Sequence, residues 1–224
     1  MNVPVGQLEE GSGHDPRQIG ILAAVKGAFL EHGLDGASMQ DLARAAGMSA
    51  GNFYRYFPSK AALIEALVEV ELARLEQDFL SFLQTGDLMG TLRKALLARL
   101  EDCACPNWED IEGAATRSPE IAAIVGRFEA TILGYLTQVF SGLAGVPRAE
   151  AEARYSAHAL LLLVLFREMI ANCSPVRPLN RRPASLQLQL RELIFQRIEG
   201  IFDEVRRDRA AAQASTSGAE TSSR

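Results

Sequence analysis

Cysteine is scarce. Cys103, Cys105 and Cys173 are the only three, an odd set without the even framework of a disulfide-stapled secreted domain or the spacing of a metal site. A reducing, cytoplasmic setting is the expectation, with inert thiols. Histidine is equally thin, with His14, His32 and His158 far apart in the chain. No Gly-x-Ser-x-Gly elbow, phosphate loop or Cys–His arrangement accompanies them. Paired carboxylates such as Glu109-Asp110 are sequence neighbours and read as solvated surface. Catalytic turnover, a bound metal and a cofactor are therefore not expected. A long apolar run is missing too. The longest, Ala159 to Phe166, is far short of the ~20 residues a membrane span needs. The start, MNVPVGQLEEGSGHD, lacks the basic and apolar regions of a signal peptide.

Strand-like alternation and internal repeats are also missing, and what remains is helical spacing almost throughout. The expected class is all-α, with about nine helices. Residues 1–15 and 210–224 carry few bulky apolar residues and read as disordered tails. Charge is uneven. Residues 17–60 hold five bases (Arg17, Lys26, Arg44, Arg55, Lys60) against three acids (Glu31, Asp35, Asp41), so a net charge of −5 leaves −7 on the rest. A mildly basic head on an acidic body permits contact with a polyanion.

Start and stop signals place the helices. The first runs from about Arg17 to His32 with Ile21, Val25, Ala28 and Phe29 on one face, and Gly33 stops it. Ser38 caps a second, with Asp41 completing a capping-box pattern. Ser49 caps a third that ends near Tyr56-Phe57, where Pro58 forbids continuation. Further helices are expected at about 60–84, 88–103 and 106–115. The next opens with Ser118-Pro119-Glu120 and ends near Ser141-Gly142. The last two are expected at 148–173 and 185–207.

Residues 38–57 have the layout of a helix-turn-helix, two short helices joined through Gly47. Met39, Leu42, Ala43 and Ala46 form the inner face of the first helix, and Met48 and Phe53 anchor the second. The other face of the second helix gathers Asn52, Tyr54, Arg55 and Tyr56. Arg55 can fork onto guanine edges, and Asn52 can pair with adenine or bond a phosphate. Tyrosine hydroxyls donate to phosphate oxygens. Ala50 and Gly51 remove bulk where the helix would enter a groove, and Lys60 adds a charge beside a helix start that itself favours phosphate. Phe53 and Phe57 read as packing residues, and Lys26 and Arg44 as solvated or, for Arg44, a phosphate contact.

The succession Ile21-Leu22-x-Ala24, Phe29, Gly33, Ser38-Met39, Asp41-Leu42-Ala43, Ala46-Gly47, Ser49-x-Gly51-x-Phe53-Tyr54-x-Tyr56-Phe57-x-Ser59-Lys60 resembles the N-terminal domain of TetR-family transcriptional regulators. It covers about forty residues. The resemblance implies contacts to double-stranded operator DNA at Ser38, Ser49, Ala50, Gly51, Asn52, Tyr54, Arg55, Tyr56 and Lys60. Many relatives carry a basic or bulkier residue at the position of Ala50, so specificity rests more on Asn52 and Arg55 here. The implied domains are 16–60 for DNA binding and 61–209 for effector binding and dimerisation. The implied function is a repressor released from a palindromic operator by a small molecule that displaces the fourth helix.

Beyond residue 61 the resemblance extends only to helix content, length and the Ser118-Pro119-Glu120-Ile121 start. Candidate effector-lining residues are Trp108, Glu112, Phe128, Tyr135, His158 and Met169, each equally readable as packing. His158, a lone imidazole among leucines, needs a hydrogen-bond partner. The segment 159–166 is apolar all round and requires burial on more than one side. The last helix carries a stripe of Leu190, Ile194, Ile198, Ile201, Phe202 and Val205 opposite Arg191, Glu199 and Asp203. A homodimer through 148–173 and 185–207 is the implied use of these surfaces.

Overall fold

A computed structural model describes residues 15–85, 89–90, 92–94, 108–171 and 183–221. Every regular element among them is a helix: α1 (Pro16–Gly36), α2 (Met39–Ala45), α3 (Ala50–Tyr56), α4 (Lys60–Thr85), α5 (Trp108–Ala115), α6 (Pro119–Ala144), α7 (Arg148–Ala171) and α8 (Ala184–Thr221). The N-terminal tail, all three cysteines and most of the helix expected at 88–103 lie outside the described residues.

Local chemistry sets the boundaries. Asp15 accepts the Arg17 amide at 3.0 Å and opens α1. At Gly33 the backbone turns to φ +71°, which breaks the helix before a last turn to Gly36. Ser38 and Asp41 cap each other's backbone amides in a complete capping box. Gly47 takes φ +66° in the turn between α2 and α3, a conformation that costs glycine little. Ser59 accepts the Ala62 amide at 3.1 Å to start α4.

Two helix ends differ from expectation. Gly142 does not stop α6, which continues to Ala144 and closes at Gly145, where φ is +69° and the amide bonds the Ser141 carbonyl at 2.9 Å. An isolated glycine costs a helix only about 1 kcal/mol, whereas the positive φ at Gly145, with Pro147 close behind, ends it. The tail expected to be disordered from 210 is instead helical to Thr221. Ala210, Ala211 and Ala212 have the highest helix propensity and extend a helix already formed upstream.

The chain divides into two compact units, up to Phe128 and from Glu129. The division falls inside α6 and not at 60/61, because α4 and α5 both pack on α1. In the first unit Leu22, Val25 and Phe29 of α1, Leu42 of α2, Phe53, Phe57 and Leu63 and Ile64 of α4 are all buried. Each such side chain contributes about 1.5–3 kcal/mol of burial energy, and α2 packs on both α1 and α3. In the second unit α7 packs on α8. Its core holds Phe140, Leu162, Met169, Ile198, Ile201, Phe202 and Val205, and the Tyr155 hydroxyl donates to Asp208 at 2.8 Å.

Candidate nucleic-acid interface

Phe53 and Phe57, ring centroids 5.5 Å apart, are buried beneath α3, so the opposite face of the helix must look outward. Tyr54 is 44% exposed, Gly51 and Arg55 are exposed, and Ala50, Asn52 and Tyr56 are half-buried. The structure thus brings all six of these expected residues onto one short helix.

Three expected contacts already have work within the fold. The Ser38 hydroxyl accepts the Asp41 amide at 3.2 Å, and the Ser49 hydroxyl accepts the Asn52 amide at 3.4 Å. The Lys60 ammonium donates to the Leu34 carbonyl at 2.8 Å, tying the start of α4 to the turn that ends α1. An ammonium has three donors, so this bond leaves Lys60 able to meet a phosphate as well.

The charges sort cleanly. Arg44 pairs with Asp41 at 3.0 Å, and Arg117 and Arg127 pair with Asp35 and Glu65. Among the described residues Arg55 and Arg17 form no ion pair. The Arg17 guanidinium instead lies 6.0 Å from the centroid of the Tyr56 ring. Nothing local in the sequence links Arg17 to a ring 39 positions away. The Ser38 hydroxyl and then the Ser38 amide hold the Asp41 carboxyl below its ordinary range.

Glycine at position 51 has no intramolecular explanation. Its backbone is ordinary helix, and an added Cβ meets no atom within 4 Å.

The six candidate effector residues divide between the two units. In the first, Trp108 stacks on Phe128 with centroids 4.4 Å apart and donates its indole N–H to Glu112 at 2.7 Å. Near them, burial and then the Asp35 charge push the Asp110 carboxyl up. In the second unit Met169 is buried and Tyr135 half-buried. The partner that His158 required is Glu204, 3.5 Å from Nε2, while buried Nδ1 has no hydrogen-bond partner. No group of three or more His, Cys, Asp or Glu suited to a metal occurs among the described residues. No described helix is long and apolar enough to cross a membrane.

Two capped helices, a left-handed glycine between them and a polar outward face on the second define a helix-turn-helix protein. Residues 21–67 match the model of the family described as bacterial regulatory proteins, tetR family. Over 56 residues the chain is 43% identical to the nucleoid occlusion factor SlmA of Haemophilus ducreyi, covering 25% of this chain and 26% of that one. Over 68 residues it is 35% identical to the transcriptional regulator EthR of Mycobacterium tuberculosis, covering 30% and 32%. Over 85 residues it is 34% identical to the repressor NemR of Escherichia coli, covering 38% and 41%. The matched segments thus span less than half the length of these relatives. Two solved structures share the fold over most of the chain. GusR of Salmonella enterica aligns with a TM-score of 0.54 at 24% identity, covering 82% of this chain and 96% of that one. A protein described as a TetR-family transcriptional regulator from Mesorhizobium loti aligns at 0.52 and 18%, covering 89% and 98%. The likeness to the TetR family in sequence thus lies in the N-terminal segment, around residues 21–67.

Proposed function

We propose that the protein is a dimeric, sequence-reading DNA-binding regulator of transcription, a repressor released from a palindromic operator by a small molecule. The observation that carries this reading is the outward face of α3, where Arg55 is exposed and has no acid partner among the described residues. Buried or paired cations stabilise a fold, whereas an unpaired guanidinium beside phenols and an amide suits base edges and phosphates. Gly51 supports the same reading, because a residue that costs helix stability and relieves no internal clash leaves room for an approaching backbone.

Dimerisation is supported by the second unit. Leu160 and Val164 of α7 are 51% and 52% exposed, and Leu186, Leu190 and Leu193 line an exposed face of α8. Two copies joined there present two recognition helices to major grooves about 34–36 Å apart. Effector release is supported by a chain of contacts within the first unit. Arg117, after α5, pairs with Asp35 at the end of α1, next to the Leu34 carbonyl that holds Lys60 at the start of α4. A ligand that shifts α4 or α5 therefore disturbs the helix-turn-helix, and a coupling of about 1–3 kcal/mol lowers operator affinity about 5–150-fold. The cytoplasm is the matching compartment.

The test is selection of bound duplexes from a random pool, followed by a salt titration. A palindromic consensus and an affinity falling steeply with salt are expected. Arg55→Ala should flatten the preference at one base position, a loss of about 1–3 kcal/mol of discrimination. Selection that returns no consensus, or binding indifferent to salt, overturns the proposal.

A further inference from the structure

We propose that Arg17, at the start of α1, is a DNA-phosphate contact seated on the Tyr56 ring, so that α1 and α3 grip one strand together. This rests on the reading of α3 as the DNA-facing helix.

Three observations carry it. The guanidinium lies over the Tyr56 ring at 6.0 Å, a cation–π separation, and joins residues that the sequence keeps 39 positions apart. Asp15, the nearest acid along the chain, accepts the backbone amide of Arg17 and forms no ion pair with its guanidinium. In the same unit Arg44, Arg117 and Arg127 are all matched with carboxylates. Arg17 is exposed and unmatched among the described residues, at the edge of the surface that bears Arg55.

The geometry suits an oxyanion. A guanidinium held over a ring at this distance keeps an edge of five N–H donors in a fixed fork, which can meet two phosphate oxygens. The ring also restricts the side chain before DNA arrives, which lowers the entropy lost on binding. A phosphate contact of this kind adds affinity without reading sequence.

The experiment compares wild type, Arg17→Gln and Arg17→Lys on the selected duplex and on a scrambled one, from 50 to 200 mM salt. Each phosphate neutralised on B-DNA contributes about 0.9 to the slope of log affinity against log salt. Arg17→Gln should lose that increment, so its affinity falls about 3- to 4-fold less across the series than that of wild type. The loss should be the same on both duplexes, with thermal melting of the free protein unchanged. Arg17→Lys keeps the charge and should keep the slope while binding more weakly. An Arg17→Gln variant with the full wild-type slope overturns this inference alone. Wild-type protein that ignores every duplex overturns it together with the functional reading.

Discussion

The outward surfaces of α3 and of the α7–α8 pair are both unpartnered, yet they are opposite in chemistry. On α3 the exposed side chains are the Arg55 guanidinium and the Tyr54 phenol, with the Asn52 amide and the Tyr56 phenol half-buried beside them. On α7 and α8 they are Leu160, Val164, Leu186 and Leu193. In the second unit Arg154 pairs with Glu150 and Asp208, Arg167 with Glu129 and Arg197 with Glu204. In the first unit Arg17 and Arg55, near or on α3, have no acid partner among the described residues. An unpartnered face names its partner: unmatched cations suit a polyanion, whereas exposed leucines on two adjacent helices suit a second copy of themselves.

The largest expected effect breaks the apolar half of that contrast. Leu193 is 62% exposed, so Leu193→Glu removes nothing from the core of one chain. Across a two-fold axis the substitution sets two carboxylates near each other among leucines. Like-charge juxtaposition of this kind costs several kcal/mol. Sedimentation should show a folded monomer at concentrations where wild type is a dimer, and operator affinity should collapse because two half-sites are no longer held at once. A variant that stays dimeric means that the leucine face has another use.

A smaller effect probes the polar half. Gly51→Ala should stabilise the fold by about 0.5–1 kcal/mol, since the new methyl meets no protein atom. It should weaken operator binding at the same time. Stability and affinity measured on one variant then move in opposite directions. If both rise or affinity holds, Gly51 faces no DNA backbone.

What the sequence made legible follows the range of each interaction. The caps at Ser38, Ser49 and Ser118, the left-handed turn at Gly47 and the stop at Pro58 are settled within four residues, and the helices lie where those signals put them. Longer-range contacts were hidden. Nothing near Lys60 announces the Leu34 carbonyl, nothing near Arg17 announces Tyr56, and the Glu204 that meets His158 is 46 positions away. Within the apolar stripe of the last helix Leu190 is 36% exposed, whereas Ile194 and Ile198 are buried. Periodicity shows which residues share a face but not whether the same chain covers it. The all-round apolar segment in α7 posed the same ambiguity, and only the fold shows Leu162 and Leu163 inside with Leu160 and Val164 left outside.

The smallest effect turns on an acid of α2. Asp41 caps Ser38 and pairs with Arg44, so one carboxylate both closes α2 and occupies a cation that would otherwise join Arg17 and Arg55. Its carboxyl is held below the ordinary range, first by the Ser38 hydroxyl. A depressed acid stabilises the fold while it is ionised. That contribution is complete above the ordinary aspartate value of about 3.9 and is lost as pH falls through the lower native value. Asp41→Asn should therefore melt below wild type at pH 5–7, with the gap closing as acid is added below about pH 3.9. DNA affinity should move the other way. Removing the carboxylate raises the charge of residues 17–60 from +2 to +3 and frees Arg44 for a phosphate. A melting gap that persists unchanged into acid means that the box does not depend on ionised Asp41. Weaker DNA binding by the variant means that Arg44 and its acid lie off the contact surface, and the boundary of the polyanion-facing region then runs between α2 and α3.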